Sequence, residues 1–176
     1  MTVRSALRTL LVIAVVLVIQ STLMLDITIA GAHPDLMVLL PIAAGIAVGA
    51  EEGAIVGFVS GMAADLLLPT PFGLGALVGC LVGFGVGYAT GSITREVWWF
   101  PAVVALAASA VWVMLYAVLG AVLGQGQFLQ VDLAAVVLVV AAFNAVLAAP
   151  AVRVVSWALG DPAAERSRPG VAGGRW

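Results

Sequence analysis

The stretch PFGLGALVGCLVGFGVGYATG, residues 71–91, sets Gly75, Gly79, Gly83, Gly87 and Gly91 four residues apart in an apolar run, with Gly73 just before them. Residues four apart lie nearly above one another on an α-helix, so the row forms a groove without side chains. The two preceding segments repeat the device, Gly45 and Gly49 in one and Gly53, Gly57 and Gly61 in the next. In lipid there is little hydrophobic drive between helices, and close backbone approach takes its place. The spacing therefore predicts tightly packed third and fourth segments, with Gly53, Gly57, Gly61, Gly75, Gly79, Gly83 and Gly87 at helix contacts. Those contacts lie either inside the bundle or against another membrane protein.

Working outward, composition places the whole chain in a bilayer. Of 176 residues, 64% are hydrophobic and 9% charged, and mean hydropathy is +1.21. A soluble domain of this length needs many more charges to cover its surface. All seven basic residues are arginine and nearly balance nine acids, so the net charge of −2 says little about partners. No nucleic-acid partner is expected. Cys80 is alone, which excludes an intrachain disulfide. His33 is the only histidine, which removes zinc clusters. No catalytic, cofactor-binding or metal-binding residue is expected.

Six apolar segments are predicted, over residues 7–25, 36–50, 54–68, 72–91, 97–123 and 133–159. A lipid-exposed span takes about 20 residues, so the second and third, about 15 each, are short and are expected to tilt little, thin the membrane or sit against neighbouring helices. The sixth is too long for one straight span, and Pro150 is expected to kink it. With the N-terminus inside, Arg4, Arg8, Arg95, Arg153, Arg166, Arg168 and Arg175 all fall on the cytoplasmic side, while the outer connections carry Asp26, Asp35 and Asp132. This is the positive-inside pattern. A re-entrant hairpin of the two short segments keeps the same parity. Trp98, Trp99, Trp157 and Tyr88 are placed at the inner interface. The expected organisation is one six-helix transmembrane domain over 1–160 and a disordered cytoplasmic tail over 161–176. Arg4, Arg8 and Ala30-Gly31-Ala32 loosely resemble a signal peptide, but the distance between core and cleavage site is too long and no cleavage is expected.

Few polar residues interrupt the apolar segments. Asp65 stands three residues before the end of the third, where an ionised carboxylate needs a polar neighbour. It is expected to accept hydrogen bonds from the backbone amides that open the fourth segment, the alternative being a proton or substrate site. Gln20, Ser21, Thr22 and Asn144 are expected to bond between helices, Glu51 and Glu52 to be solvated charges in a tight turn, and Asp35 to cap the second helix.

Gln20-Ser21-Thr22-Leu23, Pro34-Asp35-Leu36, Gly61-Met62-Ala63-Ala64-Asp65-Leu66-Leu67 and Pro71-Phe72-Gly73-Leu74-Gly75-Ala76-Leu77, in that order and spacing, resemble the MreD family of rod shape-determining membrane proteins. The likeness covers roughly residues 17–95, and beyond it only hydropathy agrees. It implies an all-α integral membrane bundle similar in fold to the substrate-binding subunits of energy-coupling-factor transporters. It implies a non-enzymatic inner-membrane component of the cell-elongation, peptidoglycan-synthesising machinery, with both termini cytoplasmic. Its implied partners are an MreC-like membrane protein and, through it, a SEDS glycosyltransferase, a class B penicillin-binding protein and, where present, MreB filaments. By the same resemblance Pro34, Asp35, Asp65, Pro71 and Gly73 are a structural signature. The expected function is a scaffold working by helix packing; the alternative is the vitamin-binding subunit of an energy-coupling-factor transporter, which needs a polar pocket opening outward. Neither the oligomeric state nor the partner-binding face follows from the sequence.

Overall fold

The computed structural model describes residues 3–24, 33–67, 71–91, 99–126 and 132–160. Expectations for Asp26, Arg95, Trp98 and the tail from Asp161 lie outside the described residues. Six α-helices follow in order: α1 Val3–Ile19, α2 Leu39–Ala47, α3 Ala50–Asp65, α4 Leu74–Thr90, α5 Phe100–Val122 and α6 Leu133–Leu159. A π-helical turn, Gln20–Met24, extends α1. Three stretches, Val3–Thr22, Phe100–Val122 and Leu133–Leu159, are long and apolar enough to cross a membrane. The molecule is a membrane helical bundle.

The two short segments differ most from the sequence boundaries. Helix α2 has 9 residues and α3 has 16, so at 1.5 Å per residue α2 rises only about 14 Å. Residues 36–38 form a turn before α2, and Gly49, with φ 122°, ends it. A φ of that sign suits glycine, which has no Cβ to clash. The chain then turns directly into α3, so Glu51 and Glu52 lie in the first helical turn and not in the connection. There they face the positive end of the helix dipole, a favourable place for acids.

Shortness costs α2 nothing, because it is the centre of the bundle. Eight of its nine residues, Leu39–Ile46, are buried. A helix that is apolar all round belongs inside protein. One side (Leu39, Ile42, Ile46) packs with Leu74, Val78, Val82 and Val86 of α4 and with Ala105, Ala108 and Trp112 of α5. The other side (Leu40, Ala43, Ala44) packs with Val12 and Ile13 of α1, Val56 of α3 and Val155 and Ala158 of α6. Helix α6 keeps its assigned boundaries through Pro150 as one element of 27 residues.

Helices α5 and α6 share a buried hydrogen bond, Asn144 Nδ2 donating to Ser109 Oγ at 3.0 Å. Asn144 Oδ1 has no partner, so the pair is only part-satisfied. Ser109→Ala is expected to cost about 1 kcal/mol, whereas Ser109→Ala with Asn144→Val, which removes both polar groups, is expected to cost less. Thermal unfolding in detergent measures both; a double variant worse than the single would show that the pair stabilises as a unit.

The two ends of the bundle differ in charge. Arg8 of α1 lies over the Trp157 ring of α6, 5.0 Å from its centroid, and Arg153 is one turn earlier on α6. Trp99, Trp157 and Tyr88 are exposed at this same end. The opposite end holds Asp35 before α2, Asp65 at the end of α3 and Asp132, which caps α6 by accepting from the Ala135 amide at 3.2 Å.

Candidate functional site

Two glycine rows meet along the α3–α4 seam. A Cβ built on Gly57 would fall well under 3.0 Å from the Gly79 carbonyl, and one on Gly79 equally close to the Gly57 carbonyl. Gly53 stands in the same relation to Gly83; a Cβ on Gly61 would crowd the Gly75 carbonyl, while one on Gly75 would meet Asp65 Oδ1 first and the Gly61 carbonyl at 3.2 Å. Gly87 lies against the Gly49–Ala50 backbone. Gly45 of α2 joins this seam: its Cβ would stand 2.7 Å from the Gly83 carbonyl oxygen and 2.9 Å from the Gly87 nitrogen. Glycines of three helices thus crowd one point, where no larger residue fits. All seven glycines named from the spacing lie on this internal seam.

At the acidic end the seam closes on Asp65, which is buried. Its Oδ2 accepts from the Gly73 amide at 2.9 Å and the Ala76 amide at 3.2 Å, and its Oδ1 from the Gly75 amide at 3.1 Å. The last residue of α3 therefore caps the first turn of α4, satisfying amides that a helix start leaves without intrahelical acceptors. Gly73 makes this possible with φ 93°, a left-handed conformation that suits glycine. Pro71 opens the turn, its carbonyl accepting from the Leu74 amide at 3.1 Å.

Across the same end, Gln20 in the π-helical turn brackets the lead-in to α2. Its Nε2 donates to the Pro34 carbonyl at 3.1 Å, and its Oε1 accepts from the Leu36 amide at 2.8 Å. One side-chain amide thus satisfies two backbone groups on either side of Asp35. Ser21 and Thr22 do not bond between helices as expected; both donate to the Val18 carbonyl of their own helix. Both side chains are exposed, and that carbonyl lies three or four residues back on their own helix. Asp35 does not cap α2 itself: its Oδ1 accepts from the Met37 amide two residues on, at 2.9 Å, an Asx turn in front of the helix. Loss of water around the Asp35 carboxyl pushes it above the ordinary carboxylate range, against the amides of Met37 and Val38, which pull it down. Gln20→Leu, which removes both bracket bonds, is expected to cost about 2 kcal/mol, and Gln20→Glu, which keeps the acceptor for Leu36, less. Equal unfolding midpoints for the two variants would show that the bracket contributes nothing.

These pieces surround a cavity of about 300 Å³. His33, Asp35 and Asp65 line it from the acidic end, Trp112 and Tyr116 from α5, and apolar side chains of α6 from the far side. Sequence reasoning missed this enclosure and the Gln20 bracket. The available signal was Trp112 and Tyr116 four residues apart inside an apolar run, which puts two amphipathic rings on one helix face. Among the described residues, no group of three or more His, Cys, Asp and Glu side chains is arranged to hold a metal ion.

The set of features is thus a glycine seam, a capped α3–α4 junction and a bracketed Pro34-Asp35-Leu36, all spaced along one apolar chain. The family model for rod shape-determining protein MreD matches residues 3–155. The chain belongs to the MreD family. For this MreD family member the resemblance carried by residues 17–95 extends through α5 and most of α6. No curated protein and no solved structure matches it, so the likeness in fold to energy-coupling-factor subunits rests on the family resemblance alone. Within this MreD family member, Asp65, Pro71 and Gly73 form one local unit, and Pro34 and Asp35 belong to another with Gln20.

Proposed function

We propose that this MreD family member is a non-enzymatic scaffold of the inner-membrane cell-elongation machinery, holding an MreC-like partner by helix packing. Family membership over residues 3–155 carries the reading. The architecture supports it: Asp65, Gln20 and Ser109 spend their hydrogen bonds on backbone or on a neighbouring helix in support of the fold. The glycine rows are occupied by each other, which leaves the apolar lipid-facing surfaces for a partner's transmembrane helix. One such surface is the exposed side of α4 with Leu77, Leu81, Phe84 and Tyr88. A SEDS glycosyltransferase and a class B penicillin-binding protein would join through the MreC-like protein. The arginine end is assigned to the cytoplasm with both termini, in keeping with the positive-inside pattern.

Affinity purification of the tagged protein from native membranes in mild detergent, followed by mass spectrometry, tests this reading. Recovery of an MreC-like protein with the glycosyltransferase or the penicillin-binding protein is the expected result. Recovery of transporter ATPases and their membrane coupling subunit would overturn it in favour of vitamin transport.

A further inference from the structure

The cavity at the acidic end combines a carboxylate, an indole ring and apolar walls in a volume of about 300 Å³, at the lower end of the range for small-molecule sites. Its charge is one-sided. The chain has no lysine, and among the described residues the arginines, Arg4, Arg8 and Arg153, lie on α1 and α6 toward the other end of the bundle. Three acids, Asp35, Asp65 and Asp132, mark this end, and His33 is the one ionisable base on the cavity wall among the described residues. Asp65 is committed to three amides of α4. The Asp35 carboxylate accepts from the amides of Met37 and Val38, and a carboxylate offers about four acceptor positions in all. Trp112, buried on α5, faces the same space. A carboxylate and an indole lining one cavity suit an ammonium group. Val136 and Val140 of α6 supply an apolar wall for the body that carries it. Anions that carry no ammonium group are disfavoured by the same acids.

We propose that this cavity binds a primary ammonium group, with Asp35 and Trp112 holding the charge. The source is either the headgroup of an aminophospholipid from the surrounding bilayer or a free amine from the aqueous side. The inference does not depend on which protein the bundle docks against.

The test uses the full-length protein in phosphatidylglycerol nanodiscs, which contain no lipid amine. 2-Phenylethylammonium is titrated alongside 2-phenylethanol and 3-phenylpropionate, with calorimetry and thermal shift as readouts. The ammonium is expected to bind saturably, and the neutral and anionic probes about tenfold more weakly or worse. Asp35→Asn is expected to remove that preference for the ammonium. Val136→Trp fills the cavity from α6 and is expected to abolish binding with the Asp35 turn intact, so it decides the matter if Asp35→Asn does not fold. Displacement of the probe when phosphatidylethanolamine replaces part of the lipid identifies the bilayer as the source; undiminished binding identifies a free amine. Equal binding of the three probes, or ammonium binding untouched by Val136→Trp, would overturn the proposal.

Discussion

Replacing Gly57 with valine is expected to destabilise the protein by about 3 kcal/mol, the upper part of the range for overpacking a close-packed core. The reason is geometric. The first added carbon would overlap the Gly79 carbonyl, a backbone group with no rotamer to escape into. Helices α3 and α4 would have to separate along the whole seam, losing the Gly53–Gly83 and Gly61–Gly75 approaches as well. Gly85 is the control. It lies in α4 between two glycines of the row, yet is exposed, and a Cβ there meets nothing within 4 Å. Gly85→Ala is expected to stabilise by about 0.5–1 kcal/mol through reduced chain entropy in the unfolded state. Two glycine substitutions in one bundle should therefore move the unfolding midpoint in mixed micelles in opposite directions. A shared direction would mean that the seam does not hold the helices together.

The second large effect is expected at Asp65. Asp65→Ala leaves the amides of Gly73, Gly75 and Ala76 without their acceptor, and a loss of about 3–5 kcal/mol follows from breaking a buried, charge-assisted network on one side. Asp65→Asn keeps one acceptor oxygen but turns the other position into a donor facing amide donors, so an intermediate loss is expected. Asp65→Glu offers no escape, because Asp65 Oδ1 already occupies the space where a Cβ on Gly75 would stand. Hydrogen exchange separates a cap from a general effect. The amides of residues 73–76 are expected to lose protection first, while those of the Asn144 region of α6 change little. Uniform loss across the bundle would argue against a capping role.

Both effects concern residues that could be named from the sequence, for a physical reason. Glycine repeats and a lone intramembrane carboxylate are local signals: each raises a packing or solvation question whose answer lies one helix away. Six helices were legible for the same reason, since hydropathy is a property of a short window. What could not be read were long-range relations. Nothing in Leu39–Ala47 says that it would be surrounded by five other helices, because an apolar run looks the same facing lipid or protein. The Gln20 bracket joins residues 14 and 16 apart in sequence, and the intervening sequence carries no periodicity. The cavity is more remote still, since His33 and Asp35 meet Trp112 and Tyr116 only once α2 and α5 are packed. Glu51 and Glu52 were misplaced for a smaller reason: the positive φ of Gly49 compresses the turn, so the helix starts at Ala50.

A nine-residue helix with no side facing lipid gains little from partitioning into the bilayer by itself. Its most extensive surroundings are α3 and α4, and these are synthesised after it. A ribosome that has released α2 but not yet Gly83 and Gly87 holds a segment without its partners. Insertion of α2 is therefore coupled to the emergence of α4. Glycosylation mapping on nascent chains is expected to show α2 and α3 reaching their final depth only once residue 90 has left the exit tunnel. For the insertion machinery, residues 39–90 are a single cargo delivered in three instalments.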